Sequence, residues 1–296
     1  MQKTKIEWTD FSVSPVRARN KKTGKVFHWC EKVSLGCVHC YAETMARRFG
    51  LPEYVRRNRD KVEFFLDEDV LRKITAARRP RRVFVEDCSD LFGDWVPDEW
   101  LDKCFATFAF NQRHVFQVLT KRAERMKSYI SGLGQSYARL DAAGRSLGLG
   151  LTFDGLSLVP WPIPNVWLGV STEDQSTYNH RVAHLVQTPA AVRFLSCEPL
   201  LGPIDLRLDR PMASPFARDR ISWCIVGGES GGGARPCQVN DVRNIVRQCR
   251  AASVPVFVKQ DSGPRPGKQG RIPDELWRMK ELPEHAMVPV CCQSTI

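Results

Sequence analysis

The sequence has no apolar run approaching the length of a bilayer span, and its opening MQKTKIEWTD carries no apolar stretch of the kind a secretory leader needs. Both absences argue against insertion or export, so the expected compartment is the cytoplasm. There the eleven cysteines would stay reduced, available to metal rather than paired as disulfides. The GxxxxGK[ST] loop that cradles phosphates is also missing. Gly231 to Gly233 is only a glycine run, so nucleoside triphosphate hydrolysis drops out of the expected activities. No composition shift marks a second domain either. At 296 residues, the chain is long enough for one large α/β domain with an ample core.

What the sequence does have is positive charge, at a formal net of +11. Residues 1–90 hold twenty Lys and Arg against thirteen Asp and Glu, and so account for +7 of it. Basic runs stand at residues 17–25, 56–61 and 78–82. Such a surface attracts polyanions, and nucleic acid is the commonest in the cytosol. Solvated helix faces would read the same way.

The densest chemistry lies in residues 27–48, FHWCEKVSLGCVHCYAETMARR, with cysteines at Cys30, Cys37 and Cys40. Structural zinc wants four closed ligands. Here there is one CxxC and one lone cysteine, so zinc would need His28, His39 or a distant thiol such as Cys88 as well. A cubane cluster is normally held by four thiolates. With only three from the protein, one iron is left open to an exogenous ligand, the arrangement used by enzymes that cleave S-adenosylmethionine reductively. Tyr41, Met45 and Phe49 recur every four residues up to Gly50, which predicts a helix with Cys40 at its start. Backbone N–H groups there favour anionic sulfur.

Beyond this loop a pattern repeats. Strands are predicted at residues 82–86, 114–119, 165–170, 192–195, 223–226 and 254–259. Helices are predicted at 66–79, from about 97, and at 121–130, 174–186 and 239–252. Short apolar strands separated by helices imply right-handed βαβ units and a parallel sheet. The strand count favours a partial or complete (β/α) barrel over an open doubly wound sheet. Residues 14–25 read as a basic, turn-rich excursion. Residues 132–164 read as an insertion, with a helix near 136–147. Ligands of such barrels sit at the C-terminal strand ends. There the sequence places Asp87 to Asp90, Thr120 to Arg122, Ser171 to Glu173, Ser196 to Glu198, Gly227 to Ser230, and Lys259 with Gln260. Of these, Glu198, Gly227, Gly228, Glu229, Ser171 and Lys121 are the expected cofactor contacts. The two glycines would admit a ligand to the backbone, the glutamates would accept from amino or ribose groups, and the lysine would meet carboxylate or phosphate.

The stretches TKIEWTD, CEKVSLGCVHCYAE, VFVEDCSDLFGDWVP, FQVLTKRAERM, PNVWLGVSTEDQ, VRFLSCEPLLGPID, IVGGESGGGARP and VPVFVKQ resemble a phage-associated family of three-cysteine-motif proteins of uncharacterised activity. The likeness covers nearly the whole chain, except residues 132–164 and the tail after about residue 263. In its cysteine loop and barrel that family is similar to radical-SAM proteins. Two departures stand out: six and two residues separate the cysteines where radical-SAM loops have three and two, and GGE stands at residues 227–229 rather than after the second strand. The resemblance implies a 4Fe-4S cluster on Cys30, Cys37 and Cys40, with S-adenosylmethionine on the open iron. The expected substrate is a nucleic-acid base or nucleotide, with an electron-donor protein as a further partner and no membrane. The competing expectation is a non-catalytic nucleic-acid-binding protein stabilised by zinc or a cluster.

Overall fold

The computed structural model describes residues 2–134, 138–149, 159–208 and 221–284. Numbered along the chain, its strands are β1 (Gln2–Lys3), β2 (Phe11–Val13), β3 (Val16–Asn20), β4 (Val26–Phe27), β5 (Val62–Leu66), β6 (Arg82–Val85), β7 (Val115–Thr120), β8 (Val166–Ser171), β9 (Val192–Cys197), β10 (Trp223–Gly227) and β11 (Val256–Gln260). Eight of them form one sheet in the order β1-β2-β6-β7-β8-β9-β10-β11, parallel from β2 onward. All six strands predicted from the sequence belong to it, with ends displaced by one or two residues. From β6 to β11 each strand neighbours the next in sequence. The order never reverses, so the topological switch point of a doubly wound fold is absent from this sheet.

The helices are α1 (Tyr41–Arg48), α2 (Glu68–Ala76), α3 (Asp98–Phe110), α4 (Ala123–Leu133), α5 (Ala138–Ser146), α6 (Gln175–Leu185), α7 (Val239–Ala251) and α8 (Asp274–Trp277). Acids open α2 and α3, and Asp174 caps α6 by accepting from the Thr177 N–H at 2.8 Å, placing negative charge where the dipole is positive. Alternate strand residues divide the apolar side chains between two faces. Val83, Val85, Phe116, Val118, Leu168, Val170, Leu195, Cys197, Val226 and Val258 join the helices in one large core. On the other face Phe84, Trp167, Phe194, Trp223, Ile225 and Phe257 form a second, smaller cluster around Trp8.

Trp8 reveals the curvature. Its ring lies 4.7 Å from Phe84 on β6 and 5.9 Å from Trp223 on β10, centroid to centroid. Those strands are four steps apart, about 19 Å in a flat sheet. The sheet therefore curls around this indole. Gly169 assists on the concave face, because a β-carbon there would overlap the Phe194 ring.

Residues 14–25 depart from expectation. The turn is where the sequence puts it, with Asn20 Oδ1 accepting from the Lys22 and Thr23 N–H groups at 2.9 and 3.0 Å. Its flanks, however, are strands in a second, antiparallel sheet ordered β4-β3-β5. Val16, Ala18 and Asn20 face inward while Arg17 and Arg19 face out, so the arginines masked an ordinary strand alternation. In the insertion, α5 matches the expected helix and packs on α3, with Arg139 donating to Asp102 at 2.8 Å. The rest of that expectation, at residues 150–158, lies outside the described residues, as do Cys291 and Cys292. Among the described residues no helix is long and apolar enough to cross a membrane.

Candidate functional site

On the concave face the apolar cluster gives way to polar groups at the C-terminal strand ends. The Lys121 ammonium donates to Ser171 Oγ at 2.6 Å and also to Glu173, whose side chain is fully buried. Arg181, reaching from α6, donates to Glu173 Oε2 at 2.9 Å. Burial alone would raise the Glu173 pKa, but the charges of Lys121 and Arg181 outweigh it and hold the carboxyl below its ordinary range. Alongside, Ser171 donates to the Glu198 carbonyl at 2.9 Å, and Lys259 donates to Glu198 Oε2 at 2.8 Å. At the end of β6, Asp90 accepts from Thr120 Oγ1 at 2.6 Å, the Lys121 N–H at 3.1 Å and Arg122 at 2.9 Å.

The cysteine loop, carried between β4 and β5, is docked over these ends. Ser34 donates to Glu173 Oε1 at 3.0 Å. His39 Nδ1 meets Glu229 Oε2 at 2.9 Å, and Arg235 ties Glu229 at 3.0 Å to the Leu35 carbonyl at 3.0 Å. The Arg122 guanidinium donates to the Glu31 carbonyl at 3.2 Å, and the Tyr41 hydroxyl donates to the Asp87 carbonyl at 2.7 Å. Gly36 passes so close that a β-carbon would overlap the Glu173 side chain. Burial works to raise the Glu229 pKa, but hydrogen bonds from Arg235 and His39 prevail and bring it down to about 2.

Cys30, Cys37 and Cys40 are free thiols, Cys37 buried and the other two half-buried. Burial, followed by the charges of Asp90 and the other thiols, pushes Cys30 up, whereas Arg122 pulls against that shift. Cys40 is likewise raised by burial, opposed by the N–H groups of Glu43 and Ala42 in the first turn of α1. A bound metal supplies the positive charge these sulfurs lack, and deprotonates a coordinating thiol outright. Three thiols on one loop are donors of the type a thiolate-held metal group uses. Among the described residues no group of three or more His, Cys, Asp or Glu side chains is placed to hold a metal ion.

Of the expected contacts, Ser171, Lys121, Glu198 and Glu229 all lie at these strand ends. Lys121, expected to meet an anionic ligand, is paired with Glu173, and Lys259 is paired with Glu198. Gly228 is also used differently: Ser262 occupies the space its β-carbon would take, so the close approach there is made by the chain itself. Gly227 faces Gln260 in the same way at 3.3 Å. Of the two histidines weighed as extra ligands, His39 is held by Glu229, and burial beside Arg17 lowers His28 to about 4. Cys197, Cys224, Cys237 and Cys249 are buried core residues. Ser34 and Arg181 had no local signal in the sequence, because each acts on a carboxylate presented outside its own element, and Arg235 pairs with Glu229 six residues before it in the same loop.

Six exposed apolar side chains rim the same end: Val33, Leu35, Val38, Tyr41, Met45 and Phe49, the last 68% exposed. Between α1 and Gly231–Gly232 an open cleft is lined by His39, Tyr41, Met45 and Arg48.

A family model described as "Protein of unknown function (DUF5131)" matches residues 3–277. No curated protein and no solved structure matches the chain.

Proposed function

The chain belongs to the DUF5131 family, of unknown function, and from that premise we propose that it is a radical-SAM-like enzyme built on a partial (β/α) barrel. In this reading Cys30, Cys37 and Cys40 hold a 4Fe-4S cluster whose remaining iron takes S-adenosylmethionine. The observation that carries it is the docking of all three thiols, on one loop, over the C-terminal ends of a curled parallel sheet where polar side chains converge. Once bound, the cluster and cofactor would supply one-electron reductive cleavage of a sulfonium.

The chain's own residues hold and screen that chemistry. The first turn of α1 directs N–H groups at Cys40. Glu229, kept ionised by Arg235, offers its carboxylate toward the loop. Ser171 and Glu198 line the floor, and Glu173 fixes the loop above it. The aromatic plug around Trp8 closes the opposite end to water.

The proposed substrate is a base of single-stranded or unpaired nucleic acid. Tyr41 and Arg48 line the cleft, and Arg47 and Phe49 are exposed next to them in sequence, a pairing of stacking surface with cations that suits splayed bases and their phosphates. A reductant protein would deliver the electron. The test is anaerobic reconstitution with iron and sulfide, then incubation with S-adenosylmethionine, dithionite and DNA or RNA oligonucleotides. Release of 5'-deoxyadenosine that is lost in Cys37→Ala is the expected result. A fully loaded protein that releases none with any nucleic acid would overturn the enzymatic reading.

A further inference from the structure

The basic runs at residues 17–25 and 56–61 hold nine Lys and Arg against one acid, Asp60, and thirty residues separate them in the chain. The small antiparallel sheet removes that separation. β3 pairs with β5 so that Arg19 stands opposite Glu63 and Asn20 opposite Val62, and the next step of the ladder sets Lys21 against Lys61, whose carbonyl accepts from the Lys21 N–H at 3.0 Å. Arg19 is neutralised by Glu63 at 3.0 Å, and its guanidinium lies over the Phe65 ring. Lys21 and Lys61 have no such complement. Both are exposed, as are Lys22 and Lys25 in the turn beyond, and among the described residues none of these four lysines makes an ion pair. Like charges directly opposite one another on a ladder are destabilising, so the fold gains nothing from this pairing. The turn is nonetheless held in one shape: the Asn20 N–H donates to the Lys25 carbonyl at 2.9 Å, and the Gly24 N–H donates to the Asn20 carbonyl at 2.8 Å.

A fixed group of unneutralised ammonium ions suits a partner that carries several negative charges. Of the large apolar side chains on these three strands only Val26 is exposed, so no aromatic ring is offered for stacking. Single strands are gripped by stacking as well as charge, whereas a duplex keeps its bases inside and presents phosphates alone. We infer that the turn between β3 and β4, together with Lys61 before β5, is a docking surface for the phosphate backbone of duplex nucleic acid. That assignment rests on the nucleic-acid part of the reading above and not on the cluster. It adds a second surface, sharing no residue with the cleft at α1, that grips a duplex whatever its sequence.

The test is fluorescence anisotropy of the full chain, as isolated, with a labelled blunt DNA duplex and with one of its strands alone, each at several salt concentrations. Lys21→Gln with Lys61→Gln neutralises the facing pair. Arg78→Gln with Arg79→Gln, exposed in the third basic run, makes the same change in net charge elsewhere. On duplex DNA each neutralised phosphate contributes about 0.9 to the slope of log binding constant against log salt, so the first variant should lose about 1.8 and bind at least about tenfold more weakly near physiological salt. The Arg78 and Arg79 variant should keep the wild-type slope. Because the first variant relieves a repulsion, its thermal midpoint should be no lower than that of the wild type. If it does not fold, Lys22→Gln with Lys25→Gln in the turn carries the same test. Equal losses in the two double variants would assign the binding to bulk charge and overturn the inference. A greater loss for the single strand than for the duplex would overturn it too, as would polyglutamate displacing the duplex at equal charge, which would assign the surface to an acidic polypeptide. A protein that releases no 5'-deoxyadenosine can still bind a duplex in this way, and one that fails here can still release it, so the two readings fail separately.

Discussion

Glu173 and Glu229 are the two carboxylates on which the cysteine loop rests, and each is held differently. Glu173 is fully buried between Lys121 and Arg181, so it cannot swing aside to make room. Gly36→Ala should therefore cost about 1–3 kcal/mol, the range for forcing an extra carbon into a packed site. The expected readouts are a lowered thermal midpoint and a loop more open to proteolysis at residues 32–40. A wild-type melting curve for this variant would mean that the loop lifts freely, and that its close approach is incidental. Glu229 gives a pH prediction. Its folded pKa of about 2 lies below its ordinary 4.5, so the stabilisation is present above about pH 4.5 and lost as pH falls toward 2. Glu229→Gln should destabilise the protein by about 2 kcal/mol at pH 7, the scale of a broken charge-assisted hydrogen bond. Denaturation curves of wild type and variant should draw together below pH 4.5 and converge only as the pH approaches 2. A difference that is constant across that range would show that ionisation of Glu229 is not what stabilises the loop.

Among the elements, Trp8 belongs to a short segment between β1 and β2, yet it fills the concave face of a sheet whose strands come from much later in the chain. Trp8→Ala would leave a cavity that rigid strands cannot close. Such a change in a core costs about 3–5 kcal/mol. The expected signature is a large loss of stability without change in the denaturant slope, measured by guanidinium titration. A loss below about 1 kcal/mol would mean that the sheet holds its curl without the indole. Trp8 also marks what the sequence could and could not convey. The six central strands were legible because parallel strands buried on both faces are continuous apolar runs, as in VFQVLT and NVWLGV. β3 and β5 were not, since Arg17, Arg19 and Glu63 interrupt them with a polar outer face, and β4 has only two residues. The polar strand ends could be read one by one. Their pairing could not, because Lys121 finds Glu173 and Lys259 finds Glu198 only once the sheet is assembled.

For the whole molecule, the excess of +11 creates a long-range attraction for polyanions that needs no particular site, so binding of nucleic acid alone would not identify a working surface. Two double reversals with equal change in net charge separate the alternatives. Arg47→Glu with Arg48→Glu alters the exposed end of α1 at the cysteine end, where Arg48 lines the cleft. Arg243→Glu with Arg247→Glu alters α7, which packs against β10 and β11 on the outer face. For a single strand, the logarithm of the binding constant falls with the logarithm of salt concentration at a slope of about 0.7 for each phosphate neutralised. If Arg47 and Arg48 each meet one phosphate, the first variant should lose a slope of about 1.4 and bind an oligonucleotide at least tenfold more weakly near physiological salt. The α7 variant should keep the wild-type slope, because its charges act only through the screened field beyond about 8 Å. Fluorescence anisotropy at several salt concentrations measures both. Equal losses in the two variants would assign the binding to bulk charge, and would remove the support that Tyr41, Phe49 and their arginines give to a nucleic-acid substrate.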